Sequence, residues 1–331
     1  TEVYHNMKIL LVFTGGTIGS TRVNGSISPD ENNSALLIDM YRKSGKSAEF
    51  EVEQPYNILS ETLSADYLNS LYDCLCSHNI SDFDGVIVAC GTDTLQYVCS
   101  FLSYKLGLCG VPVVVVSANY PLPDKRSNGL NNFCAAVDFI ASGEGRGVFA
   151  SYQNGTEPVK IHRASRLLPH NAYSDNLFDI FNSTYGEISN GIFIRNSEYY
   201  EYEDDTKFLS EQNLSQKSDV VYIVPYVGMS YPKINRDTKA ILLGTYHSGT
   251  INTSDEALKQ FCNAAKDYKI PLFLTGESSG FEYESKSQYA NLGITPLPPA
   301  SPVAIYVKLW LLPKDKIDSA LLPFGGDFYK I

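Results

Sequence analysis

"LLVFTGGTIGS", Leu10–Ser20, joins an uninterrupted apolar run to a cluster of glycine and threonine. The apolar half has the length of a strand buried on both faces. The polar half is unusual, because a plain turn needs only Gly with Asn or Asp and no pair of hydroxyls. Thr14, Gly15, Gly16 and Thr17 therefore suggest either an anion cradle or a threonine nucleophile held in a tight backbone pocket. The cradle is the weaker reading: neither GxGxxG nor GxxxxGK[ST] occurs, and no lysine is placed to reach a phosphate.

Outward from this stretch, the same rhythm repeats. "GVIVAC" (Gly85–Cys90), "VPVVVVSAN" (Val111–Asn119) and "GVFASY" (Gly147–Tyr152) are further apolar strands. Amphipathic helices lie between them, through "SADYLNSLYDCLCSHN" with Ser64 as N-cap, "LQYVCSFLSYKLG" closing on Gly107, and "LNNFCAAVDFIASG". Strands apolar along their whole length, alternating with helices, predict an α/β fold with a mostly parallel sheet covered on both faces. From about Tyr185 to Ser218 the chain turns polar and reads as a linker and hairpin region, including the acidic "EYYEYEDD", most simply a solvated face. The α/β rhythm resumes with "VVYIVPY", "AILLGTY", "DEALKQFCNAAKDY", "PLFLTG" and "PVAIYVKLWLL". The expected organisation is a larger N-terminal α/β domain over 1–205, a linker over 206–217 and a smaller C-terminal α/β domain over 218–331.

The chain has 331 residues, 44% hydrophobic and 19% charged, enough for two ordinary domains with sizeable cores. A net charge of −11 with no basic cluster argues against nucleic acid and against an anionic membrane surface. No apolar run approaches a membrane span, and the start "TEVYHNMKILLVF" lacks the basic and apolar regions of a signal peptide. Cys74, Cys76, Cys90, Cys99, Cys109 and Cys134 sit in apolar stretches and read as small packing residues. "CLC" at Cys74–Cys76 has no partner pair at ligand spacing, so no metal site is expected. Unpaired thiols indicate a reducing cytoplasm.

In open parallel sheets, ligands bind beyond the carboxyl ends of strands where the strand order reverses. Four such places carry polar residues here. They are Thr14–Thr17, "GTDT" (Gly91–Thr94) directly before a helix, "SANYPLP" with Ala118, and Ser60–Glu61 in "YNILSETLS". Capping could account for one residue of "GTDT"; three polar residues at a positive helix end point to function. A lone His162 reads as a solvated or hydrogen-bonded residue.

Strand-TGGTIG followed by strand-GTDT-helix, with "AILLGTYHSGTIN" and "IPLFLTGESSG" further on, resembles the bacterial-type L-asparaginase/glutaminase family, and the cytoplasmic type I branch in particular. The resemblance spans essentially the whole chain. It implies hydrolysis of the side-chain amide of a small amino acid, L-asparagine first, with no metal or cofactor. On that resemblance Thr17 matches the primary nucleophile and Thr92 the second catalytic threonine. Asp93 matches the carboxylate that receives the substrate α-amino group. Ser60 and Glu61 match positions holding the substrate's α-carboxylate and α-amino ends, and Gly16 and Gly91 let backbone N–H groups approach. It also implies a homodimer or homotetramer with sites between protomers, and the loop at His247 and Ser248 as a lid from the second protomer.

Two positions depart from the family pattern. The Tyr that follows TGGTIG on a loop is replaced, in "TIGSTRVNGSISPD", by Ser26. The lysine that ends an R-x-x-K segment is replaced by Arg166 in "RASR", and a guanidinium stays protonated. Lys160, in "EPVKIHRASR", is the alternative: if this arm is a strand, 160 and 166 share a face. Two other functions stay open, an amidase for a larger or modified Asn or Gln derivative and a catalytically impaired ligand-binding relative.

Overall fold

Side chains along β1 (Lys8–Phe13) alternate between two cores: Leu10 and Val12 enter one, and Ile9, Leu11 and Phe13 the other. In this computed structural model, which describes residues 7–23, 26–29, 33–201, 208–277 and 283–330, that alternation organises the first domain-sized layer. A two-stranded ribbon, β2 (Ser20–Val23) with β3 (Ser26–Pro29), follows β1 and leads to α1 (Asn33–Lys43) and β4 (Glu49–Glu53). Next come α2 (Ala65–Cys76), β5 (Gly85–Ala89), α3 (Leu95–Leu106), β6 (Pro112–Val116), α4 (Gly129–Ala141) and β7 (Gly147–Tyr152). The chain continues through β8 (Val159–Arg163), β9 (Gly186–Ser189) and β10 (Ile192–Arg195). Apart from the β2–β3 ribbon, these strands form one sheet in the order β10-β9-β8-β7-β6-β5-β1-β4. Val86 and Val88 of β5, with Val113 and Val115 of β6, face α2 and α3; Ile87, Ala89, Val114 and Val116 face α1 and α4. Both faces are therefore covered, as the unbroken apolar strands predict.

The pairing places a functional crevice. β1 is parallel to β4 on one side and to β5 on the other, so the crossover from β1 to β4 and the next, from β4 past β1 to β5, run in opposite directions. That reversal opens a gap above the carboxyl ends of β1 and β5. The two sequence motifs follow those two strands.

The far half of the sheet is antiparallel. β8 runs antiparallel to β7, β9 to β8 and β10 to β9, so the expected polar hairpin region contributes two sheet strands. β8 ends at Arg163, and Ala164–Arg166 is a 3-10 turn, so Lys160 and Arg166 do not share a strand face. Ser64 stands at the N-cap of α2 but its hydroxyl makes no capping bond. Cys76 is exposed rather than packed, although all seven cysteines are free. Residues 208–217 of the expected linker are held down: Lys105 Nζ donates to the carbonyls of Ser210 and Gln212, and Asn69 exchanges two hydrogen bonds with Leu214. Residues 202–207, which include the second half of the acidic run, lie outside the described residues.

A second parallel sheet, β11 (Val220–Ile223), β12 (Ala240–Leu243), β13 (Leu272–Leu274) and β14 (Ile294–Pro296), is paired in that order. It carries α5 (Glu256–Asp267) and the short α6 (Tyr289–Leu292) on one face. On the other lies α7 (Pro302–Leu311), whose start has Pro302 at its first position and Ser301 Oγ accepting from Ala304 N. The second face of α7 (Ala304, Val307 and Leu311) enters the core of the first sheet beside α3. One helix thus serves two cores, which explains its apolar character all round.

Candidate active site

The loops after β1 and β5 are packed back to back, and glycine is what permits it. Gly16 has φ +76°, and a Cβ there would lie 2.2 Å from Gly91 Cα; a Cβ on Gly91 would lie 2.3 Å from Ser60 Cβ. Only glycine fits at either place without moving backbone. Thr14 is structural: its N–H and its hydroxyl both donate to the Ala89 carbonyl, at 3.0 and 2.9 Å, tying the two strand ends together. Gly16 N–H in turn donates to the Ile58 carbonyl at 2.8 Å, which anchors the Ser60–Thr62 turn beside both motifs.

Thr17 and Thr92, 75 positions apart in sequence, open with Asp93 onto one cavity of about 530 Å³. Capping does not account for the threonines of "GTDT". Thr94 occupies the N-cap of α3 without a capping bond, its hydroxyl donating instead to the Ser60 carbonyl at 3.1 Å. Ser60 Oγ donates to Asp93 Oδ2 at 2.7 Å, fixing the carboxylate from below. Cys90 precedes Gly91, but burial pushes its thiol up to about 12, which keeps it from forming a reactive thiolate.

Other expected residues fall elsewhere. Glu61 is exposed and does not line the cavity; Ala118 is fully buried, and its neighbour Asn119 lines the cavity instead. Asn119 is held rigidly, exchanging backbone-to-amide bonds of 3.0 Å with Asn128 in both directions. Arg166 is not brought to the cavity. It is completely buried, with Nε donating to the Gly326 carbonyl at 2.7 Å and Nη2 to that of Phe328 at 2.8 Å, between the rings of Tyr199 and Tyr329. Lys160 pairs with Glu187 at 2.5 Å across the β8–β9 ladder. His162 is hydrogen-bonded, one of its two expected states, rather than solvated: its Nδ1 meets Asp179 Oδ2 at 2.8 Å, with both residues buried. His247 is exposed on the loop after β12, and Ser248 shares a hydroxyl contact of 2.8 Å with Thr250. The side chain of Ser26 lies outside the described residues.

The second wall of the cavity comes from a loop the sequence marks only weakly. His170, Asn171, Ala172, Tyr173, Ser174 and Asp175 line it, together with Tyr152. The loop is closed at its base by Leu168 N–H on the Phe178 carbonyl (2.9 Å) and by Asn154, which bonds both polar groups of the Leu177 backbone at 2.8 Å. The His162–Asp179 pair stands behind that closure. Tyr173 has φ +64° and is fully exposed, a strained backbone held at the rim. Tyr152 donates its hydroxyl to the Asp175 carbonyl at 3.0 Å, and burial pushes the phenol up to about 12. Its ring meets the His170 ring edge-on at 5.4 Å. Burial lowers the His170 pKa below the ordinary imidazole value, against opposing pulls from the backbone of Asp175, the Asp93 carboxylate, Asp175 itself and the backbone of Thr92. The only signal for this wall in the sequence is the Pro169-His170-Asn171 cluster, a loop signature with a titratable residue in it.

Two threonine hydroxyls and a carboxylate held by Ser60 thus line one cavity at the switch point of an open parallel sheet. Residues 8–199 match the family model described as Asparaginase, N-terminal, and the chain belongs to the asparaginase family. It is an asparaginase-like amidohydrolase. It is 29% identical to L-asparaginase 1 of Escherichia coli K12 over 40% of each chain. It is also 24% identical to a Glutamyl-tRNA(Gln) amidotransferase chain of Methanobrevibacter smithii, over 92% of this chain and 72% of that one. The thermostable L-asparaginase of Thermococcus kodakarensis superposes with a TM-score of 0.78 at 20% identity, over 98% of this chain and 100% of that one, a likeness of fold. Among the described residues no helix is long and apolar enough to cross a membrane, and no group of three or more His, Cys, Asp or Glu is placed to hold a metal.

Proposed function

We propose that this chain hydrolyses the side-chain amide of a small amino acid, L-asparagine to L-aspartate and ammonia, with Thr17 as nucleophile. The observation that carries the reading is the convergence of Thr17, Thr92 and Asp93, from two separate strand ends, on one cavity. Thr17 Oγ attacks the amide carbon, ammonia leaves, and water cleaves the resulting ester. Asp93, held by Ser60, takes the substrate's α-ammonium group, and Thr92 acts beside it as the second hydroxyl. With Asp93 and Asp175 on its walls, the cavity favours a substrate carrying an ammonium group. The net charge of −11 disfavours direct contact with a polynucleotide, so a free amino acid is the substrate we assign. The working unit in this reading is a cytoplasmic homodimer or homotetramer.

Ammonia release from asparagine, glutamine, an α-amino-blocked asparagine and the deamino analogue succinamate tests this assignment. Thr17→Ala should lower kcat by at least about 10³-fold while the protein melts as wild type. Asp93→Asn should raise KM about 10- to 100-fold for asparagine and only a few-fold for succinamate, since a charge-assisted hydrogen bond is lost in the first case alone. Near wild-type turnover by Thr17→Ala would remove it as the nucleophile.

A further inference from the structure

We propose that His170 is the proton acceptor of this site: its neutral imidazole takes the hydroxyl proton of the attacking threonine and returns it to the departing nitrogen. The proposal rests on the amide-hydrolysing reading above. A threonine hydroxyl needs a base with a pKa near the working pH. The cavity offers few. The titratable groups around the His170 ring are Asp93, Asp175, Tyr152 and Tyr173. Asp93 already accepts from Ser60, and a carboxylate is a weak base for a hydroxyl. Tyr152 donates its hydroxyl to a backbone carbonyl and so remains a neutral phenol. Lys160 and Arg166 are engaged away from the cavity. His170 touches the cavity, and its Nδ1 is buried without a hydrogen-bond partner. Burial disfavours the charged ring against the opposing pulls of the Asp175 and Thr92 backbone and the two carboxylates, and so favours the neutral, proton-accepting form.

The step balances. As Thr17 Oγ bonds to the amide carbon, its proton moves to the imidazole and the carbonyl π pair moves onto oxygen. When the C–N bond breaks, the imidazolium gives that proton to the leaving nitrogen, and ammonia departs. Water then attacks the ester, passing a proton to the ring, and the ring returns it to Thr17 Oγ as the acid is freed.

The test is ammonia release from asparagine between pH 5 and 9 by wild type, His170→Gln, His170→Ala and Thr17→Ala. Wild-type kcat/KM should fall on the acid side through a limb below the ordinary imidazole value of about 6.5. His170→Gln should lower kcat about 10²- to 10⁴-fold, with KM within about threefold, and the limb should vanish. Added imidazole should restore part of the rate to His170→Ala. If His170→Gln keeps wild-type kcat and the same limb while Thr17→Ala is inactive, the proposal is overturned and the site reading stands. If Thr17→Ala is as active as wild type, the site reading itself is lost. Should both His170 variants fail to fold, a flat wild-type profile from pH 5 to 8 overturns the proposal and an acid limb below about 6.5 supports it.

Discussion

The two walls of the cavity are built by different means. One consists of the ends of adjacent parallel strands, β1 and β5, whose loops are locked by Gly16 against Gly91 and by Thr14 on the Ala89 carbonyl. The other is the loop from Leu168 to Phe178, which belongs to no helix or strand over His170–Asn176 and is pinned at its base by buried side chains. The first wall is placed by sheet topology and close backbone packing. The second is placed by long-range polar contacts, with a buried arginine just before it. Position on a strand end therefore predicts what a residue touches on the first wall, and it does not on the second.

Arg166 separates the two kinds of placement most sharply. Arg166→Met removes the donors to the Gly326 and Phe328 carbonyls, which then stay buried and unpaired. It should destabilise the protein by about 4 kcal/mol in urea unfolding. The protein that remains folded should keep kcat within a few-fold. A stable Arg166→Met that has lost turnover would place Arg166 in the chemistry and break the contrast between the walls.

Gly16→Ala tests the first wall in the opposite sense. The added methyl meets Gly91 Cα at a positive φ, so strain and overpacking together should cost about 3 kcal/mol in the same assay. Activity should fall with stability, because any relief must move the Thr17 or the Thr92 loop. Ser60→Ala is gentler. Loss of the 2.7 Å bond to Asp93 should raise KM for asparagine about fivefold, equivalent to about 1 kcal/mol, and leave unfolding nearly unchanged. The smallest effect is expected at the rim of the second wall. Tyr173→Gly relieves the positive φ at a side chain with no buried area to lose, and should alter stability by no more than about 1 kcal/mol. A large drop in melting temperature for Tyr173→Gly would show that the second wall depends on contacts of that ring.

The first wall was legible because its signals are local. Unbroken apolar runs followed by Gly-Thr clusters indicate buried parallel strands and their loops, and both motifs stand where such strands end. β4 is harder to read, since "EFEVE" is a half-exposed edge strand whose charges mask it. The arm at 159–166 misled for a definite reason. Face parity holds only while a strand continues, and β8 stops at Arg163, so the turn that follows aims Arg166 into the C-terminal segment. Asn119 rather than Ala118 reaches the cavity because the Asn119–Asn128 exchange of hydrogen bonds sets the loop, a pairing across nine positions that no periodicity announces.

By itself the sequence determined the α/β layers, the pairing of Thr17 with Thr92 and Asp93 as one candidate site, and the glycines at their shoulders. It could do so because burial on both faces of a sheet and conformations open only to glycine leave marks on neighbouring residues. Only the tertiary structure decided which polar side chains complete that site. Arg166, Lys160, His162 and His170 lie within eleven consecutive positions, yet one is caged by backbone carbonyls, one is paired across a ladder, one is buried on an aspartate and one lines the cavity. Those fates depend on partners from residues 179 to 328 and from the strand ends, and contacts between parts of the chain so far apart leave no local pattern to read.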